Sequence, residues 1–124
     1  MPTTEELVAA FDDVITGRGV DAFVAALAPG AVIWHNNDRE AIDAREHMSR
    51  FAGAPRLIEG VEIEHVRLAT SDGTFVLQYV VRGTVTSRGA PFEMHNCLVV
   101  VTDEHGMIRR VDEYVDPSVG AQLS

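Results

Sequence analysis

At 124 residues the chain has the length of one domain with a sizeable core, and 46% apolar with 23% charged residues is ordinary for a soluble globular protein. A net charge of −9 argues against non-specific nucleic-acid binding, because a phosphate backbone recruits lysine and arginine. No apolar run approaches the roughly 20 residues that span a bilayer, and no charged-then-apolar signal segment opens the chain, so the expected location is the cytoplasm. Cys97, the single cysteine, lies in an apolar strand pattern and reads as an inert buried thiol.

Thr3 and Glu6 form a capping-box pattern ahead of Leu7, Val8, Phe11, Val14 and Ile15 at helical spacing. Gly17-Arg18-Gly19 stops that helix. Val20, Phe23, Val24 and Leu27 predict a second amphipathic helix, ended by Pro29-Gly30. The apolar run Ala31-Val32-Ile33-Trp34 predicts a strand. Asp38 then reads as the N-cap of a third helix that carries Ala41, Ala44, Met48, Phe51 and Ala52 on one face, closed by Gly53 and Pro55.

From Leu57 the period changes to two. Val61 and Ile63 alternate with Glu62 and Glu64, then Val66 and Leu68 appear on the opposite parity, which predicts a bulge near Glu64-His65. Turns at Ser71-Asp72-Gly73, Ser87-Arg88-Gly89 and Glu104-His105-Gly106 divide the remainder into long strands, the last stopped by Pro117. The expected fold is α+β: three N-terminal helices packed on a curved, mainly antiparallel sheet, in one domain over residues 1–124. Helices across the concave side leave a cone whose wide end is a natural ligand pocket.

Candidate chemistry clusters on the strands. Around Trp34-His35-Asn36, alternation sends Trp34 and Asn36 to one face and His35 to the other. An aromatic beside an amide suits a pocket wall; the plainer alternative is a core tryptophan, a surface histidine and a polar turn. In the last strand Glu113 shares a face with Val111 and Val115, where desolvation would suit a general acid or base. Gln78, among Val76, Val80 and Arg82, needs a partner for its amide and could orient a ligand, and Arg82 reads as a rim residue. His95 could reach the cavity as a proton carrier. His47 sits on a partly exposed helix face, and His35, His65 and His105 read as surface residues. No His, Cys, Asp or Glu spacing indicates a metal site, and no phosphate loop or nucleophile elbow is present.

The run from Ala31 to Asp38, the apolar Leu98-Val99-Val100-Val101, and Gly106-Met107-Ile108 leading to Asp112-Glu113-Tyr114-Val115-Asp116 resemble the nuclear transport factor 2-like superfamily. The style is that of its SnoaL-like and ketosteroid-isomerase-like bacterial members, with a cystatin-like α+β barrel. The resemblance covers nearly the whole chain and implies a conical pocket and a homodimer through the outer sheet face. Asn36 stands where isomerase-like members carry a catalytic Asp, and an amide is no base. Limonene-epoxide-hydrolase-like members have Tyr and Asn about where Trp34 and Asn36 stand and an acid near Glu113. Their Arg-x-Asp pair, however, has no counterpart in Gln78-Tyr79-Val80-Val81-Arg82. SnoaL-like cyclases use an acidic residue near Glu113. The resemblance therefore implies a small cofactor-independent cyclase, isomerase or dehydratase acting on a small hydrophobic carbonyl compound. Glu113 and His95 would be catalytic, and Trp34, Asn36, Gln78 and Arg82 would bind substrate. The alternatives are a non-catalytic small-molecule binding module, an epoxide-hydrolase-like enzyme without the usual pair, and a structural dimer whose cavity is filled by side chains.

Overall fold

The computed structural model describes all residues, 1–124. Helix α1, Thr4–Thr16, begins at the expected capping box, in which Thr3 Oγ1 accepts from the Glu6 backbone N–H at 3.1 Å. It buries Leu7, Val8, Ala10, Phe11 and Val14 and ends at Gly17, whose φ of 80° suits the left-handed cap that glycine adopts without strain. The second helix is shorter than its apolar spacing predicts: α2 spans only Asp21–Ala25, and Leu27 already opens strand β1, Leu27–His35. Pro29-Gly30 is thus an irregularity within a strand and not a helix stop. Leu27 pairs with Ile108, the register then shifts, and pairing resumes at Val32 with Arg110. The Arg45 guanidinium donates to the carbonyls of Leu27 at 2.8 Å and Ala28 at 3.2 Å, satisfying backbone that the irregularity leaves free.

Asp38 caps only a turn, accepting from the Glu40 N–H. Ala41–Asp43 forms a short strand, β2, antiparallel to β1, and Asp43 is the N-cap of α3, Ala44–Gly53. The third helix therefore starts five residues later than a cap at Asp38 predicts, because β1 offers Ala41 to Asp43 backbone partners that a helix would forgo.

Strands β3 (Ile58–Ser71), β4 (Thr74–Val85), β5 (Ala90–Thr102) and β6 (Ile108–Tyr114) form the expected meander, joined at the three expected turns. The register of β3 against β4 shifts between His65 and Arg67, so Ile63 opposite Val81 and Leu68 opposite Leu77 share one face despite opposite parity. The six strands lie in the order β2-β1-β6-β5-β4-β3, antiparallel except for the parallel β1–β6 pair. The sheet is curved but open, with edges at β2 and β3, so the barrel is incomplete. A short helix α4, Val119–Leu123, follows the last strand and packs Val119 and Leu123 on the core. No helix is long and apolar enough to cross a membrane.

The core fills the space between the concave face and the helices. Leu77, Tyr79, Leu98, Val111 and Ile33 project inward from four neighbouring strands and meet Leu7, Phe11, Phe23 and Met48 from the helices. Complete burial of such side chains contributes about 1.5–3 kcal/mol each before the entropy cost.

Candidate functional site

The inward face that carries Ile33 also carries His35, and the face that carries Val111 carries Glu113. The parallel register of β1 and β6 sets these two side by side. His35 Nε2 stands 3.2 Å from Glu113 Oε1, and both side chains are largely shielded, at 14% and 16% exposure. The other carboxylate oxygen, Oε2, accepts a 2.6 Å hydrogen bond from the Tyr79 hydroxyl on β4. Asn96 on β5 donates to that hydroxyl at 3.1 Å, and its own carbonyl oxygen accepts from the Asp116 N–H at 2.9 Å. The edge of Phe11 packs on the Tyr79 ring, with centroids 5.1 Å apart. The polar chain Asn96–Tyr79–Glu113–His35 is thus fully partnered, and no buried side-chain nitrogen or oxygen in the protein lacks a hydrogen bond.

His47 on α3 completes the group, its ring centroid 5.1 Å from that of His35. The two histidines are driven in opposite directions. The hydrogen bond to Glu113 pushes His35 above its ordinary value of 6.5, against the opposing effect of burial. Burial, then the neighbouring His35 charge, pushes His47 below it. Burial and the Glu113 carboxylate raise Tyr79 far above its ordinary range, so it stays a hydrogen-bond donor. The arrangement therefore holds one imidazole that favours its charged form and one that favours its neutral form, beside a single carboxylate.

His35, His47 and Glu113 line a small cavity of about 60 Å³, otherwise walled by Phe11, Phe23, Ile33, Met48 and other apolar side chains. It adjoins a larger chamber of about 450 Å³, with Val14, Ile15 and Phe51 lining both. The chamber is walled by the end of α1, the end of α3 and the inner faces of β3, β4 and β5, through Val61, Val81, Phe92 and Met94. Its size falls within the roughly 300–1,000 Å³ of small-molecule sites. His35, His47 and Glu113 occupy the small inner recess, and the outer chamber is lined mainly by apolar side chains, with Arg56 its one charged residue.

Of the residues singled out from the sequence, the structure brings only Glu113 to this cavity. Trp34 lies on the outer face, half-buried, its ring against that of Tyr114 at 5.4 Å between centroids. Asn36 extends the β1–β6 pairing: its Oδ1 accepts from the Val115 N–H at 2.8 Å and its Nδ2 approaches the Val115 carbonyl at 3.5 Å. Gln78 is exposed on the outer face, opposite Cys97. Arg82, 49% exposed on that same face, pairs with Glu64 and Glu93. His95 is 63% exposed and points outward beside Glu93, while Asn96, its neighbour in the chain, is the inward residue. The expectation that Trp34, Asn36, Gln78 and Glu113 line one cavity is therefore corrected, and His95 and Arg82 do not reach it. In β1 both parities are apolar, and the larger residue, Trp34, drew the core assignment that belongs to Ile33. Cys97 is half-buried on the outer face, where burial pushes its thiol up.

Three residues of the group were missed: His35 and His47 as participants, and Tyr79 altogether. One signal was available. If Glu113 faces inward, its neighbour in a parallel β1 must share its face, and the only titratable residue at the end of β1 is His35. No cluster of three or more His, Cys, Asp or Glu side chains is arranged to hold a metal ion.

A family model described as a SnoaL-like domain matches residues 8–111. No curated protein sequence matches the chain at a significant level. Among solved structures, a Catenulispora acidiphila protein with a ketosteroid isomerase-like fold, in complex with trimethylamine, superposes with a TM-score of 0.77 at 21% identity. The alignment covers 98% of this chain and 94% of that one. A Jannaschia protein assigned as a SnoaL-like polyketide cyclase gives 0.81 at 14% identity, over 97% and 90% of the two chains. An M. tuberculosis epoxide hydrolase of the limonene-epoxide-hydrolase-like type gives 0.71 at 19% identity, over 98% and 90%. At these identities the likeness is one of fold.

Proposed function

This chain belongs to the SnoaL-like domain family, and from that premise we propose that it is a small cofactor-independent enzyme of proton transfer, taking a hydrophobic carbonyl compound into the paired cavities. The observation that carries the reading is the single carboxylate, Glu113, held between Tyr79 and His35 at the inner end of an apolar chamber, with His47 beside it. An ionised carboxylate has four lone-pair positions, so the two donors that fix Glu113 leave room for a substrate C–H. Glu113 removes a proton from carbon next to the substrate carbonyl. Negative charge then grows on the carbonyl oxygen, where N–H groups of His47 and of His35, whose hydrogen bond to Glu113 favours its charged form, stabilise it. The proton returns from Glu113 to a second carbon, or to the oxygen, giving isomerisation; where the carbanion instead adds to a second carbonyl carbon of the same molecule, that C=O π bond breaks, and the alkoxide formed takes the proton from Glu113, giving cyclisation. Exclusion of water by the apolar wall strengthens each of these interactions.

A non-catalytic binding module could use the same fully partnered carboxylate, and one assay separates the two. Small hydrophobic ketones are incubated with the protein in deuterium oxide, and loss of the proton beside the carbonyl is followed by NMR. Wild-type protein is expected to accelerate exchange, and Glu113→Gln to lower the rate by about 10²-fold or more. Ketones that bind without exchanging above the buffer rate would favour the binding module.

A further inference from the structure

Arg56 distinguishes the outer chamber from an undifferentiated apolar hole. Of all residues lining the two cavities it is the only arginine or lysine, and the larger chamber contains no carboxylate. Its guanidinium makes no ion pair or hydrogen bond within the protein, as is also true of Arg39, Arg67 and Arg109, but of these four only Arg56 lines the chamber. The Arg56 side chain is exposed and reaches the end of α1. It lies directly over Gly17, so close that a β-carbon there would fall 1.7 Å from Nη2, and the left-handed φ of 80° keeps that position glycine. The side chain thus stands between the end of α1 and the segment that leads into β3, with Val20, Leu57 and Ile58 as apolar neighbours in the wall.

We propose that Arg56 is the specificity residue of this cavity and that its ligand is an apolar acid. The oxyanion sits on the Arg56 guanidinium in the outer chamber, and the apolar body runs inward toward Glu113. A planar guanidinium offers paired N–H donors matched to a carboxylate or sulfonate, and Arg56, exposed at the rim of the chamber, presents them to an acid entering from solvent. A neutral ligand of the same shape gains only the apolar contact. The proposal rests on the proton-transfer reading solely in taking the two adjoining cavities as one ligand site.

The test uses two fluorescent dyes with the same aromatic body, anilinonaphthalene sulfonate and the uncharged N-phenyl-naphthylamine. They are titrated into wild-type protein, Arg56→Gln, Arg56→Lys and Val61→Trp at low salt, with thermal unfolding of each variant alongside. Wild-type protein is expected to bind both dyes. Arg56→Gln should weaken the sulfonate about tenfold and leave the neutral dye within twofold, at unchanged Tm. Arg56→Lys should keep the sulfonate within about threefold of wild type, and Val61→Trp, which fills the chamber, should abolish both. Equal sulfonate affinity in wild type and Arg56→Gln would overturn the assignment, as would equal loss of both dyes in Arg56→Gln, or dye binding that survives Val61→Trp. Binding of neither dye to wild type would overturn it together with the ligand cavity itself. Failure of ketone exchange with Arg56-dependent dye binding intact would strike only the catalytic reading.

Discussion

Replacing Glu113 by glutamine tests the inner group through stability, with no substrate required. In the native protein Glu113 accepts from Tyr79 and faces His35. Hydrogen bonds to a charged group contribute about 1.5–3 kcal/mol, and neutral ones about 0.5–1.5. Glutamine keeps an acceptor for Tyr79, and His35 can shed its proton, so nothing is left as an unpaired buried charge. The loss should be about 1–2 kcal/mol near pH 6, or about 4–8 °C in Tm for a domain of this size, well short of the roughly 3–5 kcal/mol for a stranded charge. The pH dependence is the sharper readout. Folding raises the proton affinity of His35, so its contribution is complete below 6.5 and is lost as pH climbs through the folded value. His47 has the opposite sign: its contribution is present above 6.5 and is lost as pH falls through its lowered folded value. These two groups therefore give a stability maximum near pH 6.5, with an alkaline arm from His35 and an acid arm from His47. In Glu113→Gln the main cause of the His35 shift is gone, so the alkaline arm should flatten while the acid arm persists. Urea unfolding from pH 5.5 to 8.5, with histidine NMR titrations, measures both. An unchanged alkaline arm in the variant, or a loss above about 4 kcal/mol, would refute this account of the site.

Two further outcomes follow from the same geometry. Tyr79→Phe removes a hydroxyl that donates to Glu113 and accepts from buried Asn96; chemical denaturation should find it destabilised by about 1–3 kcal/mol, and a neutral substitution would mean that water or Met94 replaces the contact. The outer sheet face carries Trp34, Tyr114, Cys97, Val99 and Val76, partly exposed and continuous across four strands, and such a surface is expected to be covered by a second copy of the chain. Sedimentation at micromolar concentration should give a dimer that Val99→Arg converts to monomer, and a wild-type monomer at all concentrations would refute it.

Local chemistry written in the sequence was sufficient for much of the frame. The Thr3–Glu6 box, the three glycine-containing turns and the parity slip at Val66 each act within a few residues, and each stands where the sequence puts it. Two boundaries moved because a competing strand partner outweighed a local signal: Pro29-Gly30 became a strand irregularity, and Ala41 to Asp43 became β2. Glu113 was legible because Val111 and Val115 flank it with an unambiguous alternation. The rest of the inner group was not, for a reason common to all its members. A strand apolar on both faces, as in β1, β4 and β5, does not say which parity is inside. One choice of face decides Trp34 against His35, Gln78 against Tyr79, and His95 against Asn96 together. That choice is made by contacts far apart in the chain: the parallel pairing of His35 with Glu113, the pairing of Tyr79 with Asn96, and the packing of Phe11 and Met48 from the helices onto one side. Composition and alternation determined that this chain folds as helices on a curved sheet with an acidic residue inside. Only the tertiary structure decided which side chains surround that acid, because only there do the two faces of the sheet become unequal.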